Sequence, residues 1–236
     1  ASSADAHHAI DGPLGDYLRA ELATKGIYLI PYGALENGMR QICSVAKRVT
    51  QLADLEGYRM RVPDARIIRE LFAELGCEPV TINVDKLGEA LASGRVDGHE
   101  NPLAIIDANG LAPLTRHVAI SNHIWSGFNL VANLAFWNRL PESLREIVQA
   151  AVKRHAARQR EETVALNTAL AASLARQGIE FGALDRAAFQ ARLGGAFRDR
   201  LRELCGSRAW ELLEQADHGP RLVILDRFCP WQEVVV

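Results

Sequence analysis

Gly57-Tyr58-Arg59-Met60-Arg61-Val62-Pro63 is a short stretch that ends on an arginine and is closed by a proline. It is answered downstream by Ala90-Leu91-Ala92-Ser93-Gly94-Arg95-Val96-Asp97-Gly98-His99-Glu100-Asn101-Pro102. The first reads as a strand, and the second as a helix end, a tight Gly turn, a two-residue strand and a new helix start. Together they set a guanidinium and an asparagine amide at the ends of neighbouring elements, where an open α/β sheet presents its ligand crevice. An arginine at such a place reads as a carboxylate receptor, because its planar fork matches two carboxylate oxygens. The pair points to capture of a small organic acid.

Outward from that stretch, helix and strand periods alternate. Pro13 and Gly26 bracket a helix over residues 14–24, and residues 27–30 read as a buried strand. Residues 32–38 form a turn-rich crossover, with strands at 40–44 and 58–62 beyond it. Asp64 is a candidate N-cap for a helix whose Ile67, Ile68, Leu71, Phe72 and Leu75 share one face, stopped by Gly76. A strand at 79–82 and a helix at 85–93 follow, and Asn101-Pro102 has the N-cap plus N1-proline signature of the next helix. This alternation predicts an α/β fold with a largely parallel sheet.

The second half is different. Residues 142–177 contain neither Gly nor Pro and are rich in Ala, Leu, Arg, Glu and Gln. The stretch is far longer than the usual helix of roughly 11–12 residues, so it predicts one helix that spans two lobes, with two helices and an unmarked break as the alternative. Asp185 caps a further helix interrupted at Gly194-Gly195. A last helix at 210–215 and an apolar strand at 222–225 complete the order.

Composition excludes several classes. Apolar residues make up 48% and charged residues 24% of the 236, with a formal net charge of −2. There is no basic field for nucleic acid and no apolar run of membrane-spanning length. The opening Ala1-Ser2-Ser3-Ala4-Asp5-Ala6-His7-His8 has no charged region followed by an apolar core, so a secretory segment has been removed or the stretch is internal to a longer chain. Cys43, Cys77, Cys205 and Cys229 have no CxxC spacing, which argues against zinc and favours buried thiols, with three disulfide connectivities arithmetically open. His99-Glu100 lacks the second histidine of a zinc helix. No Gly-x-Ser-x-Gly elbow, phosphate-cradling loop or spaced carboxylate pair is present. The reading is of a protein that is not an enzyme and needs no cofactor.

The chain resembles the DctP-type solute-binding proteins of TRAP (tripartite ATP-independent periplasmic) transporters. The resemblance is carried, in order, by Gly12-Pro13-Leu14-Gly15-Asp16-Tyr17-Leu18, by Glu36-Asn37-Gly38-Met39-Arg40-Gln41, and by residues 52–63 ending in Arg61-Val62-Pro63. Leu75-Gly76-Cys77-Glu78-Pro79, residues 90–102, Ser121-Asn122-His123 and Phe136-Trp137-Asn138-Arg139-Leu140-Pro141 continue it. It implies a two-lobed, type II periplasmic-binding-protein-like α/β fold with a long helix spanning both lobes. The lobes divide as 1–38 (remainder of lobe I), 39–126 (lobe II), 127–166 (return to lobe I and first part of the long helix) and 167–236 (lobe II and C-terminal helices). The implied function is periplasmic capture of a small carboxylate and its delivery to TRAP membrane subunits. A ligand-sensing accessory domain and a truncated paralogue without binding are the alternatives.

By the same resemblance, Arg61 forms the bidentate pair with the ligand carboxylate. Arg40 is a second, less constant arginine, and Asn101 is the pocket asparagine. Asp64 touches the rest of the ligand, and Trp125 and Phe128 line the wall near the hinge. Two positions depart from the family pattern: Lys86-Leu87-Gly88 replaces a Glu-Val-Tyr-like triplet, and His99 replaces a glutamine. The family's opening strand–helix–strand units precede the point where these residues begin, so one wall of the cleft is expected to lie outside them. On the residues alone, Arg61 could also be a solvated charge or a partner for Glu56 or Asp64. Asn101 could be a cap, Asp97 a turn residue, His123 a buried hydrogen-bonded histidine, and Trp125, Phe128 and Trp137 core residues.

Overall fold

The structure, a computed structural model, describes residues 2–216 and the strand at 224–225. Helices α1 (Ser3–Asp11) and α2 (Pro13–Thr24) lead into a long strand, β1 (Ile27–Met39). Ser2 caps α1 by accepting from the Asp5 N–H, and Asp5 returns a bond to the Ser2 backbone, a capping box. Strands β2 (Gln41–Ser44), β3 (Arg59–Val62), β4 (Glu78–Thr81), β5 (Gly98–Asn101) and β6 (His117–Ala119) follow, with helices α3 (Arg66–Glu74), α4 (Leu87–Ala92) and α5 (Leu103–Ala108) among them. The chain then returns through β7 (Ile124–Asn133) and α6 (Leu134–Arg139) to the long helix α7 (Glu142–Arg176). β8 (Glu180–Gly182), α8 (Arg186–Arg192), α9 (Ala196–Cys205), α10 (Ser207–Ala216) and β9 (Ile224–Leu225) come last.

Two sheets result. The smaller has the order β1-β7-β9, the larger the order β4-β3-β5-β2-β6-β8. Two crossings run directly from strand to strand, from β1 to β2 at Arg40 and from β6 to β7 just before Ile124, and α7 carries the chain across again between β7 and β8. The larger sheet is mixed rather than largely parallel. β3 runs parallel to β4 and β5, and β6 parallel to β8, but β2 is antiparallel to both of its neighbours. Strand periodicity carries no direction, and β2 enters from a crossing rather than from a βαβ turn, so its reversal left no mark in the pattern.

The turn-rich stretch 32–38 is also not a loop. β1 runs through it by means of two register shifts, between Leu29 and Ala34 and between Glu36 and Gly38. Tyr32, at φ 59, takes the strain of the first as a bulge. Helix α3 starts at Arg66 with Ala65 as its N-cap, not Asp64, because a tight turn from Pro63 C=O to Ala65 N–H (2.8 Å) delays the helix. Its buried face holds Ile67, Ile68, Leu71 and Phe72, each contributing roughly 1.5–3 kcal/mol by leaving water.

One core packs α3, α8 and α9 on the larger sheet around Met60, Val62, Ile68, Phe72 and Phe197. A second sits on the other side of that sheet, around Cys43, Leu87, Ile106, Val118, Leu170 and Leu174. A third joins α1, α2 and α10 to the smaller sheet around Leu14, Leu18, Leu29 and Trp125. Helix α7 is unbroken over 35 residues, about 52 Å at 1.5 Å per residue. Its middle bonds to β1, through Gln159 to Glu36 and Arg160 to the Ala34 carbonyl. Its last turns bury Leu170 and Leu174 against the larger sheet. Its other side chains are mostly exposed, as expected of a helix that touches two bodies in succession.

Burial raises the Cys43 thiol far above its ordinary range and pushes Cys77 up to about 12, so both behave as apolar residues. Cys205 is half-buried, and Cys229 lies outside the described residues. Of the strand expected at 222–225, only its second half falls within them, as β9. No helix among the described residues is long and apolar enough to cross a membrane.

Candidate functional site

The site is built where β1 ends, β2 begins and β3 and β5 finish. The β5–β2 register pairs Asn101 with Gln41 and Glu100 with Ile42, which brings Glu100 and Asn101 beside Arg40. The β3–β5 register pairs Arg61 with His99. Gly98 makes this close approach possible: a Cβ there would sit 2.3 Å from the Cys43 carbonyl oxygen and 2.8 Å from the Tyr58 hydroxyl. Asp97, read from sequence as a turn residue, ion-pairs with Arg59 and accepts the Arg59 backbone N–H at 3.0 Å, fastening the turn to β3.

Arg40 is buried and fully occupied. Its Nε and Nη2 donate to the two carboxylate oxygens of Glu100, the second at 2.5 Å, and Nη2 also donates to the Glu100 carbonyl at 2.8 Å. Longer contacts of 3.4 Å reach Ser126 Oγ and Asn101 Oδ1. Glu100 has no exposed surface. Burial alone would raise its carboxyl, but Arg40 and the His123 imidazole, 3.4 Å away, outweigh burial and hold it at about 2. His123 is anchored in turn by Ser121 Oγ at 2.7 Å and stands edge-on to Phe72.

Arg61 is in the opposite situation. It is 3% exposed, and its Nε donates to the Ile82 carbonyl at 2.7 Å. Among the described residues, no carboxylate pairs with it and its two Nη groups make no hydrogen bond, so neither Glu56 nor Asp64 is its partner. Burial is the first cause that brings it down to about 10, with Glu100 acting against and Arg40 adding to the fall. It therefore stays charged at neutral pH. Asn101 Nδ2 lies 3.0 Å from His99 Nδ1, and His99 Nε2 lies 3.0 Å from Thr115 Oγ1. Burial and the nearby Arg61 drive His99 down to about 3, so it is neutral and accepts at Nδ1 from the Asn101 amide. The structure thus presents a buried guanidinium with both arms free, next to an amide whose orientation is fixed from beneath.

The remaining expected residues lie elsewhere. Asp64 is exposed and ion-paired with Arg69. Asn101 belongs to β5 and does not cap α5, whose N-cap is Pro102. Trp125 is 2% exposed inside the smaller sheet's core, where its indole N–H donates to Glu36 at 2.7 Å. Phe128 is 49% exposed on β7. A cavity of about 310 Å³ adjoins the crossing, lined among others by Glu36, Gly38, Met39, Gln41, Asn122 and Asn167. Met39 and Gln41 line it, while Arg40 between them, Arg61 and Asn101 do not. Among the described residues no cluster of three or more His, Cys, Asp or Glu side chains could hold a metal ion.

A comparison with known proteins supplies the relationship. The profile of DctP, bacterial extracellular solute-binding protein, family 7, matches residues 1–201. The chain belongs to the DctP family. Among curated relatives, the C4-dicarboxylate-binding periplasmic protein DctP of Rhodobacter capsulatus is 28% identical over 146 residues, covering 62% of this chain and 43% of that protein. The 2,3-diketo-L-gulonate-binding periplasmic protein YiaO of Escherichia coli is 25% identical over 198 residues, covering 84% and 60%. A TRAP periplasmic solute-binding protein from Chromohalobacter salexigens, solved with bound D-glucuronate, superposes with a TM-score of 0.83 at 21% identity. That match covers 91% of this DctP-family chain and 70% of the other, and shows a shared fold. The chain spans between 34% and 60% of the length of the first four curated relatives it matches.

Glu100, His123, Ser126 and Thr115 were not among the residues singled out from sequence as site residues. Glu100 left a signal there, since an acidic residue in a short strand between buried positions needs a buried cation, and His123 was read as a hydrogen-bonded histidine, as it is here.

Proposed function

We propose that this chain is the carboxylate-capturing part of a TRAP-type solute-binding protein, working in the periplasm. It takes up a small organic acid and hands it, chemically unchanged, to the membrane subunits of a TRAP secondary transporter. The observation that carries this reading is Arg61, a buried cation whose two Nη groups have no partner among the described residues. An unpaired buried charge is costly, and an anion with two coplanar oxygens removes that cost by a bidentate bond. The ligands named for the relatives above (a C4-dicarboxylate, 2,3-diketo-L-gulonate and D-glucuronate) share a carboxylate and differ in the rest. That supports a small acid, with a sugar acid or dicarboxylate as its class.

In this reading Arg40 acts indirectly. Its fork is held by Glu100, and it steadies Asn101 at Oδ1, while Asn101 offers an amide hydrogen beside Arg61. Asp64 is engaged by Arg69 and Trp125 by Glu36, while Phe128 is exposed and open to a ligand. The smaller sheet with α1, α2 and α10 makes up one lobe, and the larger sheet with α3, α8 and α9 the other. The lobes close about the two crossings, and ligand shifts an existing open–closed equilibrium by contacts made only when closed.

A thermal-shift screen tests the proposal. D-glucuronate, succinate and other small carboxylates should raise the melting temperature, and D-glucose, which lacks the carboxylate, should not. Stabilisation by neutral sugars equal to that by their acids would refute it.

A further inference from the structure

Asn167 lies on α7 beside the first crossing. Its Oδ1 accepts the backbone N–H of Ala104 at 3.0 Å, and its Nδ2 donates to the carbonyls of Asn37 at 3.3 Å and Thr163 at 3.0 Å. Ala104 is in the first turn of α5, the helix that follows Asn101 and Pro102. The first N–H groups of a helix have no partner within it, and the N-cap Pro102 offers no side-chain acceptor. Asn167 supplies that acceptor from another helix. Asn37 belongs to β1, one residue before Gly38. Gly38 has φ +126, and a Cβ there would stand 2.9 Å from Asn167 Nδ2 and 3.0 Å from Pro102 Cβ. The glycine therefore lets the strand, the helix start and the amide meet.

Two turns earlier on the same helix, Gln159 clasps Glu36 at both its N–H (2.8 Å) and its carbonyl (2.7 Å). Gln159 thus fixes α7 to the smaller sheet alone. Asn167 bonds at once to the end of β1 and to the helix that carries on from the site strand β5.

We infer that Asn167 is a positioning residue that sets the resting angle between the two bodies at the crossing. The inference rests on the two-lobed reading given above. The chemistry is specific to an amide, which accepts from one backbone and donates to another. Aspartate at this position could accept from Ala104 but would repel the Asn37 carbonyl, and leucine of similar size could do neither.

The experiment uses the full chain without ligand. Ketone-bearing residues at the exposed positions Ala20 on α2 and Ala73 on α3 carry spin labels and leave the cysteines untouched. Distance distributions are recorded for wild type, Asn167→Leu, Asn167→Asp and Gln159→Leu, with circular dichroism as a check on folding. Wild type should give one narrow distance. Asn167→Leu should broaden it by about twofold or split it, as expected when a biased two-state equilibrium is released. Asn167→Asp should fall between, and Gln159→Leu should stay near wild type. An unchanged distribution in Asn167→Leu overturns the inference. If that variant does not fold, an unchanged Asn167→Asp does so. Broadening equal in Gln159→Leu and Asn167→Leu also overturns it, since any loosened helix contact would then suffice. No ligand enters the measurement, so a chain that broadens as described but stabilises with no carboxylate would sink the functional reading alone.

Discussion

The guanidinium of Arg40 closes on the carboxylate of Glu100 from two nitrogens, Nη2 lying 2.5 Å from Oε1, at a point where Glu100 has no exposed surface. That bond decides which arginine is available. Arg40 is neutralised inside the protein, and Arg61 is not. It also makes a test of asymmetry possible. Breaking a buried pair leaves one charge stranded, whereas removing both charges need cost little. Glu100→Ala should destabilise the fold by about 3–5 kcal/mol, and the double variant Arg40→Met/Glu100→Leu by much less. Urea unfolding of wild type and the two variants checks this, and a double variant as unstable as Glu100→Ala, or more so, would contradict a direct pair.

Arg61 should behave in the reverse sense. Among the described residues its buried positive charge has no paired carboxylate, so Arg61→Met should raise the stability of the unliganded chain, on the order of 1 kcal/mol, while abolishing acid binding. The lost bond to the Ile82 carbonyl sets the upper limit of that gain. A clear loss of stability on this substitution, by the same unfolding measurement, would mean that Arg61 is a structural cation.

The pH dependence follows from two depressed groups. His99 sits at about 3 in the fold against an ordinary 6.5. The unfolded chain therefore binds its proton first, and stability is lost as pH falls below about 6.5. The slope approaches 1.4 kcal/mol per pH unit for this one group. Glu100, held at about 2 against 4.5, adds a second loss only below about 4.5. Between pH 6.5 and 4.5 the fall should come mainly from His99, and His99→Gln, which keeps a hydrogen-bonding side chain without titrating, should flatten it. Denaturant midpoints at half-unit pH steps decide the matter; an unaltered slope in His99→Gln would remove His99 as the cause.

Local chemistry was legible in the sequence, and long-range pairing was not. Arg61 at a strand end, the Pro13 helix start, the long helix read over 142–177 and found to one residue, and the break at Gly194-Gly195 all depend on neighbours in the chain, and the structure has them. The Arg40–Glu100 bond depends on the antiparallel register of β2 with β5, which periodicity does not encode. Asp64 looked like a cap because capping residues are recognised by type, and the turn through Pro63 and Ala65 moved the helix start past it. Trp125 was given a ligand wall by the resemblance. Its indole N–H finds Glu36, a partner not legible in the sequence because it lies in a stretch that reads as turns but continues as strand. The resemblance conveyed the order of motifs, and only the registers of the two sheets conveyed which side chains meet.

The most direct measurement is a calorimetric titration of the acid that stabilises the chain most, D-glucuronate being the first to try, into wild type and Arg61→Lys. Lysine keeps the charge and loses the planar fork, so affinity should fall at least tenfold, about 1.4 kcal/mol. Equal affinity in the two proteins would contradict the account, because the carboxylate would then be held somewhere other than on the free arms of Arg61.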